Sequence, residues 1–264
     1  MDASDPSRPR PSAALAIPGL VIAAVAIWEI VATVRAPAGV PDDAAWAEAA
    51  QVVRAQRQPG DLIVFAPAWV DPVGRLHLGD LLGIDDAARM DAAKYPRIWE
   101  LAIRGARSPD VAGLTPVTSL DVGGIAIRRY ERTPVTVRAD LRDLLATAVI
   151  TGGTARVELA EVGFAPHRCI VATPRTSAPM TITFPRVSLG TTLVGYLGIA
   201  DVFTRRDQRA PAQLVVNGIR ITAGVDDGWV RFSTPTTPGV GDVTLELSSA
   251  AAGRLICVAA EARS

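Results

Sequence analysis

The sequence lacks most of the residue patterns on which enzymes and metal sites depend. Its 264 residues include only two cysteines and two histidines, and they form no CxxC motif or Cys/His cluster, which disfavours a zinc site. The G-x-S-x-G, phosphate-loop and H-E-x-x-H motifs are also missing, and the two histidines fall in different predicted domains. We therefore expect a protein that is not an enzyme and that holds no metal or cofactor.

The chain has no excess of charge of either sign. Its 27 Lys and Arg residues balance 27 Asp and Glu residues, and the sequence pI is about 6.7. The arginines are scattered along the chain, so no basic patch favours nucleic acid as a partner. Apolar residues make up 49% of the chain, which is enough for one large or two modest folded domains.

One long apolar run, Ala13–Val34, contains a single charged side chain, Glu29. A helix needs roughly 20 apolar residues to cross a bilayer, so this run predicts a transmembrane helix. Arg8 and Arg10 precede it, and the positive-inside rule then predicts that residues 1–12 are a cytoplasmic tail. We therefore expect a single-pass protein of the cell membrane whose C-terminal region is extracytoplasmic, with the membrane as one partner.

A secretory signal sequence is the alternative for the same run. Ala36-Pro37-Ala38 resembles the small-residue site at which a signal sequence is cleaved. The apolar core of a signal is shorter, about 7 to 15 residues, and the proline disfavours cleavage. The length of the run therefore favours an uncleaved anchor.

Residues 40–133 show the pattern of a small α/β domain. Pro41-Asp42-Asp43 is typical of a helix start, and Trp46, Ala49, Ala50 and Val53 then lie on one helical face. The continuous apolar run Leu62–Ala66 indicates a strand buried on both faces. The remaining predicted elements are a helix over 73–82, a strand over 98–103, and a hairpin of 117–121 and 125–130 around Gly123-Gly124.

The stretch Ala45–Arg132 resembles the extracytoplasmic C-terminal region of lipid-linked-sugar glycosyltransferases of the GT-C type. The resemblance rests on PGDLIVFAPAW, RIWEL and GGIAIRRYE. It implies, as an alternative function, an enzyme or accessory subunit of such a glycosyltransferase system. GT-C enzymes carry their catalytic acids between many membrane helices and this chain has one predicted span, so no catalytic residue is transferred.

Four side chains form a candidate acidic site in the same domain. They follow the first predicted strand, where open α/β sheets commonly bind ligands: Asp71, His77, Asp80 and Asp86. Their spacing matches no metal-ligand or nucleophile pattern, and solvated loop acids are the alternative. The dinucleotide fingerprint is absent after the strand, where Ala66-Pro67-Ala68-Trp69 stands instead. We expect no nucleotide cofactor.

In the C-terminal part, apolar and polar residues alternate with a period of two residues. After a linker over 134–153, which includes a predicted helix over Ala139–Val149, Met180, Ile182 and Phe184 alternate with threonines. Asn217-Gly218 predicts a tight hairpin. About eight or nine short strands over 154–264 favour a β-sandwich of the jelly-roll type. The predicted fold class is therefore α/β plus all-β, preceded by a transmembrane helix.

Residues 154–264 are similar to galactose-binding-like jelly rolls, including carbohydrate-binding modules. The resemblance is carried by LGTTLVGYLGIAD, APAQLVVNGIRI, DGWVRFSTPT and GDVTLELSSAAAGRLICVAAEAR. It implies the fold and leaves the ligand open, since members of this fold bind sugars, proteins or lipids.

Alternation along one predicted strand suggests a ligand-binding surface. If Val230 and Phe232 face the core, then Trp229 and Arg231 face outward together, and an indole beside a guanidinium suits a sugar ring. The alternative is a Trp229 that packs under a loop. Further candidate ligand-binding residues are Asp201, Arg205 and Arg206, for which a solvated loop is the alternative.

Cys169 and Cys257 each fall in a predicted strand. An extracytoplasmic location permits a disulfide between them, and two buried thiols are the alternative. Together these features predict an anchored envelope protein whose β-sandwich binds a glycan or a protein partner.

Overall fold

The computed structural model describes residues 13–35, 40–176, 178–202 and 208–264. Helix α1 spans Ala13–Arg35, and its stretch Pro18–Arg35, of mean hydropathy 1.6, is long and apolar enough to cross a membrane. A signal sequence near an N-terminus can satisfy the same criteria of length and composition. The membrane topology of the chain therefore stays a prediction.

Helix α2, Asp43–Gln56, opens the α/β unit as its sequence pattern predicts. The Asp42 carboxylate caps it by accepting a hydrogen bond of 2.8 Å from the Ala45 N–H. Trp46, Ala49, Ala50 and Val53 are the buried side chains of the helix. The predicted apolar face is confirmed.

A four-stranded sheet forms the centre of this unit. Its strands are β1 (Leu62–Ala66), β2 (Arg97–Ala102), β3 (Thr118–Val122) and β4 (Ile125–Glu131), in the order β1-β2-β4-β3. Strand β1 is parallel to β2, and the other pairs are antiparallel. All five residues of β1 are buried, because Ile63 and Phe65 pack towards α2 while Leu62 and Val64 pack on the opposite face. The prediction of a strand covered on both sides is confirmed.

Two short helices follow β1. Helix α3 is Asp71–Leu78, with a 3₁₀ turn over Gly79–Leu81, and α4 is Ile84–Ala87. The helix predicted over 73–82 is thus shorter and begins two residues earlier.

The helix predicted over Ala139–Val149 is wrong. Residues Val137–Asp140 form strand β5, Leu145–Thr147 form a 3₁₀ turn, and Val149–Thr151 form strand β6. Leu141 is fully buried, and its N–H bonds to the Ala260 carbonyl at 3.0 Å. The apolar spacing therefore reflects packing against sheet edges, which overrides helical propensity.

The C-terminal part is a sandwich of two antiparallel sheets. Its further strands are β7 (Gly153–Val162), β8 (Ala165–Pro174), β9 (Met180–Leu189), β10 (Thr192–Ile199), β11 (Ala212–Val216), β12 (Ile219–Ala223), β13 (Val230–Pro235), β14 (Gly239–Ser249) and β15 (Ile256–Arg263). Sheet I has the order β13-β10-β15-β8-β7, with β5 also paired to β15, and sheet II has the order β12-β11-β14-β9-β6. The chain passes repeatedly from one sheet to the other, which confirms the predicted β-sandwich.

The core of the sandwich lies between the inner faces of the two sheets. Ile170 and Val258 of sheet I and Ile182 and Leu245 of sheet II are among its fully buried members. The predicted hairpin at Asn217-Gly218 is confirmed, because both residues have positive φ and the register joins Val216 to Ile219.

The outer face of sheet I is covered by the α/β unit. Met90, which follows α4, packs on Cys169 and Cys257 there. The Arg168 N–H donates to the Ala88 carbonyl at 2.9 Å, and the Val135 N–H donates to the Ala93 carbonyl at 3.1 Å. The segment after α4 therefore lies directly on the sheet.

Candidate ligand-binding groove

Strands β13 and β10 present an outward row of side chains at the edge of sheet I. Arg231 and Ser233 are exposed on β13, whereas Phe232 between them is buried. The register pairs Arg231 with Tyr196 and Ser233 with Val194. Side chains of paired residues share a face of the sheet, so these four line one surface, as alternation predicts for Arg231.

Trp229, just before β13, is half-buried in a row of aromatic rings. Its ring stacks on His167 with a centroid separation of 4.4 Å and on Tyr196 with one of 5.5 Å. The indole N–H donates to the Met90 carbonyl at 3.3 Å. Trp229 is therefore half-buried, and the segment of the α/β unit that follows α4 binds the polar edge of its ring.

An open groove of about 810 Å³ lies beside these rings. Strands β10 and β13 form one wall, and the segments over 87–93, 109–112 and 132–135 form the other. On the sandwich side its lining includes Thr192, Tyr196, Trp229, Arg231 and Ser233. The groove thus combines aromatic rings, hydroxyls and guanidinium groups from two parts of the chain.

A buried ion pair connects the floor of the groove to the sandwich. Arg263 donates to both carboxylate oxygens of Asp91, at 2.9 and 3.0 Å, and also binds Glu261 at 2.7 Å. Burial is the largest single effect and opposes ionisation of Asp91. The hydrogen bonds and charge of Arg263, with the hydrogen bonds from the Ala93 N–H and the Tyr196 hydroxyl, together outweigh burial and lower the pKa of Asp91. Asp91 is therefore a carboxylate with a permanent partner.

Two neutral groups complete the polar lining. Burial, with a smaller contribution from the Asp91 charge, raises the pKa of Tyr196 to about 12. Burial also lowers the pKa of His167, whose Nδ1 lies 3.3 Å from the Arg89 carbonyl. A carbonyl only accepts, so this hydrogen bond assigns the proton to Nδ1.

Asp201, a further sandwich residue predicted to bind ligand, does not line this groove. Asp201 is buried, lies 3.5 Å from Arg254 and accepts a hydrogen bond of 3.3 Å from the Leu255 N–H. The Asp201 carboxylate therefore lies in the interior of the sandwich, outside the groove. Arg205 and Arg206 lie outside the described residues.

The candidate acidic site is dispersed. Asp71 pairs with Arg75 at 2.5 Å, Asp80 binds Arg54 through both oxygens, and Asp86 accepts a hydrogen bond of 2.8 Å from the Tyr95 hydroxyl. His77 Nε2 lies 3.0 Å from an Asp43 oxygen. Asp71 lines a smaller cavity of about 290 Å³ together with residues 63–66 of β1. Within the described part of the chain, no group of three or more His, Cys, Asp or Glu residues is arranged to hold a metal ion.

Cys169 and Cys257 form a disulfide between β8 and β15, with their Cα atoms 5.6 Å apart. Both are fully buried on the outer face of sheet I, beneath Met90. The bridge therefore lies under the contact between the two units.

Sequence reasoning missed several residues of the groove. Tyr196 could have been found from the alternation of its strand, since it is an aromatic residue on the outer side of an otherwise apolar segment. Asp91, Arg132 and His167 carry no such signal, because they reach the groove from other elements through tertiary packing.

Comparisons with known proteins give no family for this chain. A scan against protein-family models and a search of curated proteins find no match. The resemblance of residues 45–132 to GT-C enzymes therefore stays a prediction.

Solved structures that resemble the chain include carbohydrate-binding modules. A family 35 module from Clostridium thermocellum has 11% identity and a TM-score of 0.28, covering 49% of this chain and 98% of that one. A CBM35 from Paenibacillus barcinonensis has 10% identity and a TM-score of 0.30, with coverages of 46% and 96%. The C-terminal CBM6 of LamC from Zobellia galactanivorans has 12% identity and a TM-score of 0.27, with coverages of 43% and 90%. Similarity this low carries no argument about the ligand.

Proposed function

We propose that this protein binds a glycan in the groove beside sheet I and does not transform it. The observation that carries the proposal is the groove itself, which is lined both by the rings of Tyr196 and Trp229 and by Thr192 and Ser233, whose side chains carry hydroxyls. The apolar faces of sugar rings pack on aromatic rings, and their hydroxyls exchange hydrogen bonds with such side chains. A volume of about 810 Å³ is ordinary for a small-molecule site.

The charges in the groove favour binding over hydrolysis. Glycosidases canonically use two carboxyl groups, one of which has a raised pKa so that it can act as an acid. Here Asp91 has a lowered pKa and is bound by Arg263, while Asp110 pairs with Arg89. Both carboxylates of the groove are engaged in ion pairs, so neither is set up as the acid.

The proposed setting is the outer side of a membrane, with α1 as an uncleaved anchor. This setting is supported by the length of α1 and by the basic residues before it. The Cys169–Cys257 disulfide also suits an oxidising compartment. The two units would then face the envelope, where glycans are available.

A glycan array probed with the full chain in nanodiscs tests the proposal. Trp229→Leu removes a ring of the groove and should weaken binding about fivefold, since stacking contributes about 1 kcal/mol beyond burial. Trp69→Leu is the matched control, because Trp69 is 60% exposed and lies outside the groove.

Titration calorimetry of the best array ligand measures both variants, after thermal unfolding has shown that each is folded. Equal losses in the two variants would place binding elsewhere. If the wild-type chain binds no glycan on the array, the proposed function is wrong.

A further inference from the structure

The charged side chains of the groove are not balanced. Six of them line it: Arg89, Asp91, Asp110, Arg132, Arg231 and Arg263. Each of the two carboxylates already binds an arginine, Asp110 with Arg89 and Asp91 with Arg263. Two arginine side chains remain.

Those two are Arg132 and Arg231. Across the ranges 13–35, 40–176, 178–202 and 208–264, no carboxylate side chain pairs with either guanidinium. Arg231 projects from β13 beside Tyr196. Burial raises the pKa of the Tyr196 hydroxyl, and the charge of Arg231 opposes that effect. Arg132 follows the end of β4, where its backbone N–H donates to the Pro96 carbonyl at 2.9 Å.

The two guanidinium groups belong to different walls. Arg231 comes from the sandwich, whereas Arg132 comes from the connection that leaves the α/β unit. A cleft lined by unbalanced charge focuses its field on mobile ions of the opposite sign. Guanidinium is also the side-chain group best suited to planar, two-pronged contacts with a carboxylate, sulfate or phosphate.

We infer that the ligand of this groove is an acidic glycan, whose anionic group lies between Arg132 and Arg231 while its ring packs on the aromatic side chains. The inference rests on the proposed function, which requires only that some glycan binds. The inference adds that the sugar is negatively charged, and it assigns Arg132 and Arg231 as the residues that select this charge. Carboxylated, sulfated and phosphorylated sugars share the required chemistry.

The test compares acidic oligosaccharides with neutral partners of the same linkage. The full chain in nanodiscs of zwitterionic lipid is titrated with a panel of uronic-acid oligosaccharides and with their carboxyl-reduced forms. Sulfated and phosphorylated oligosaccharides, each with its unmodified form, make two further arms and identify the source of the charge. We expect the acidic form to bind at least tenfold more tightly in one arm, with an affinity that falls as salt is raised.

Two single variants, their double variant and one control variant assign the effect to residues. Arg132→Gln and Arg231→Gln should each weaken acidic binding about tenfold, which is a larger loss than either variant causes in the binding of the neutral partner. Arg220→Gln, which changes an exposed arginine on β12 of sheet II, should alter neither. If both guanidinium groups hold one anionic group, the double variant should lose less than the sum of the two single losses.

The outcomes separate the two proposals. Equal affinity for acidic and neutral partners, or full acidic binding in both single variants, would refute the inference and leave glycan binding in place. Absence of binding by every acidic and neutral probe would refute the proposed function as well.

Discussion

Removal of the Cys169–Cys257 disulfide should destabilise the sandwich by several kcal/mol. The bridge links residues 88 positions apart. In the chain-entropy model, a cross-link closing a loop of that length reduces the entropy of the unfolded chain enough to contribute about 4.6 kcal/mol at 25 °C. Since loss of native disulfides typically costs about 2–5 kcal/mol, we expect a value within that range.

The measurement compares the full chain with the Cys169→Ala/Cys257→Ala double variant by thermal unfolding. For a chain of this size, each kcal/mol lowers the unfolding midpoint by about 2–4 °C, so the expected decrease is about 5–15 °C. Strong reductant should produce a similar decrease in the wild type. The same treatment should leave the double variant unchanged, which makes it the control for other effects of reductant.

Two results would refute this reasoning. Thiol titration of the denatured, unreduced chain could find two free thiols, and the bridge would then be absent from the protein. Alternatively, the midpoint of the double variant could fall by less than about 2 °C, and the closed loop would then contribute nothing measurable.

Two further predictions concern buried ionisable groups. Glu100→Gln should lower the free energy of unfolding by about 3 kcal/mol, because the fully buried carboxylate accepts hydrogen bonds from Arg128 and Tyr130. Equilibrium unfolding compares it with Glu158→Gln, whose side chain is 38% exposed, and equal losses would contradict the prediction. Burial lowers the pKa of His167, so the unfolded chain takes up this proton first and stability falls as the pH drops below about 6.5. His167→Gln should remove that part of the acid sensitivity in midpoints measured from pH 7.5 to pH 5, and an unchanged slope would disprove the assignment.

The local elements were predictable where a pattern has one physical cause. The face of α2 follows from the 3.6-residue period, and a carboxylate before it caps the free N–H groups. Strand β1 follows from five consecutive apolar residues. The Asn217-Gly218 turn follows from the positive φ that these two residue types tolerate.

The segment over 139–149 shows why other elements were not predictable. Its apolar residues recur at a helical spacing, yet Leu141 donates its N–H to Ala260 and Leu144 packs on the sandwich core. The free edge of a sheet competes with the hydrogen bonds of a local helix, and that edge exists only after distant strands have paired. No window of local sequence contains this information.

The features of the candidate groove also fall into those that the sequence predicts and those that it does not. The sequence alone determined the length of the N-terminal apolar run, the two-residue period of the sandwich, and the shared face of Trp229 and Arg231. Each of these depends only on neighbours along the chain. Tertiary structure alone decided that Tyr196 lies beside Arg231 and that Arg132 stands on the facing wall. Strand register and the packing of one unit on another arise from contacts between residues far apart in sequence, so the site and its unbalanced charge exist only in the folded chain.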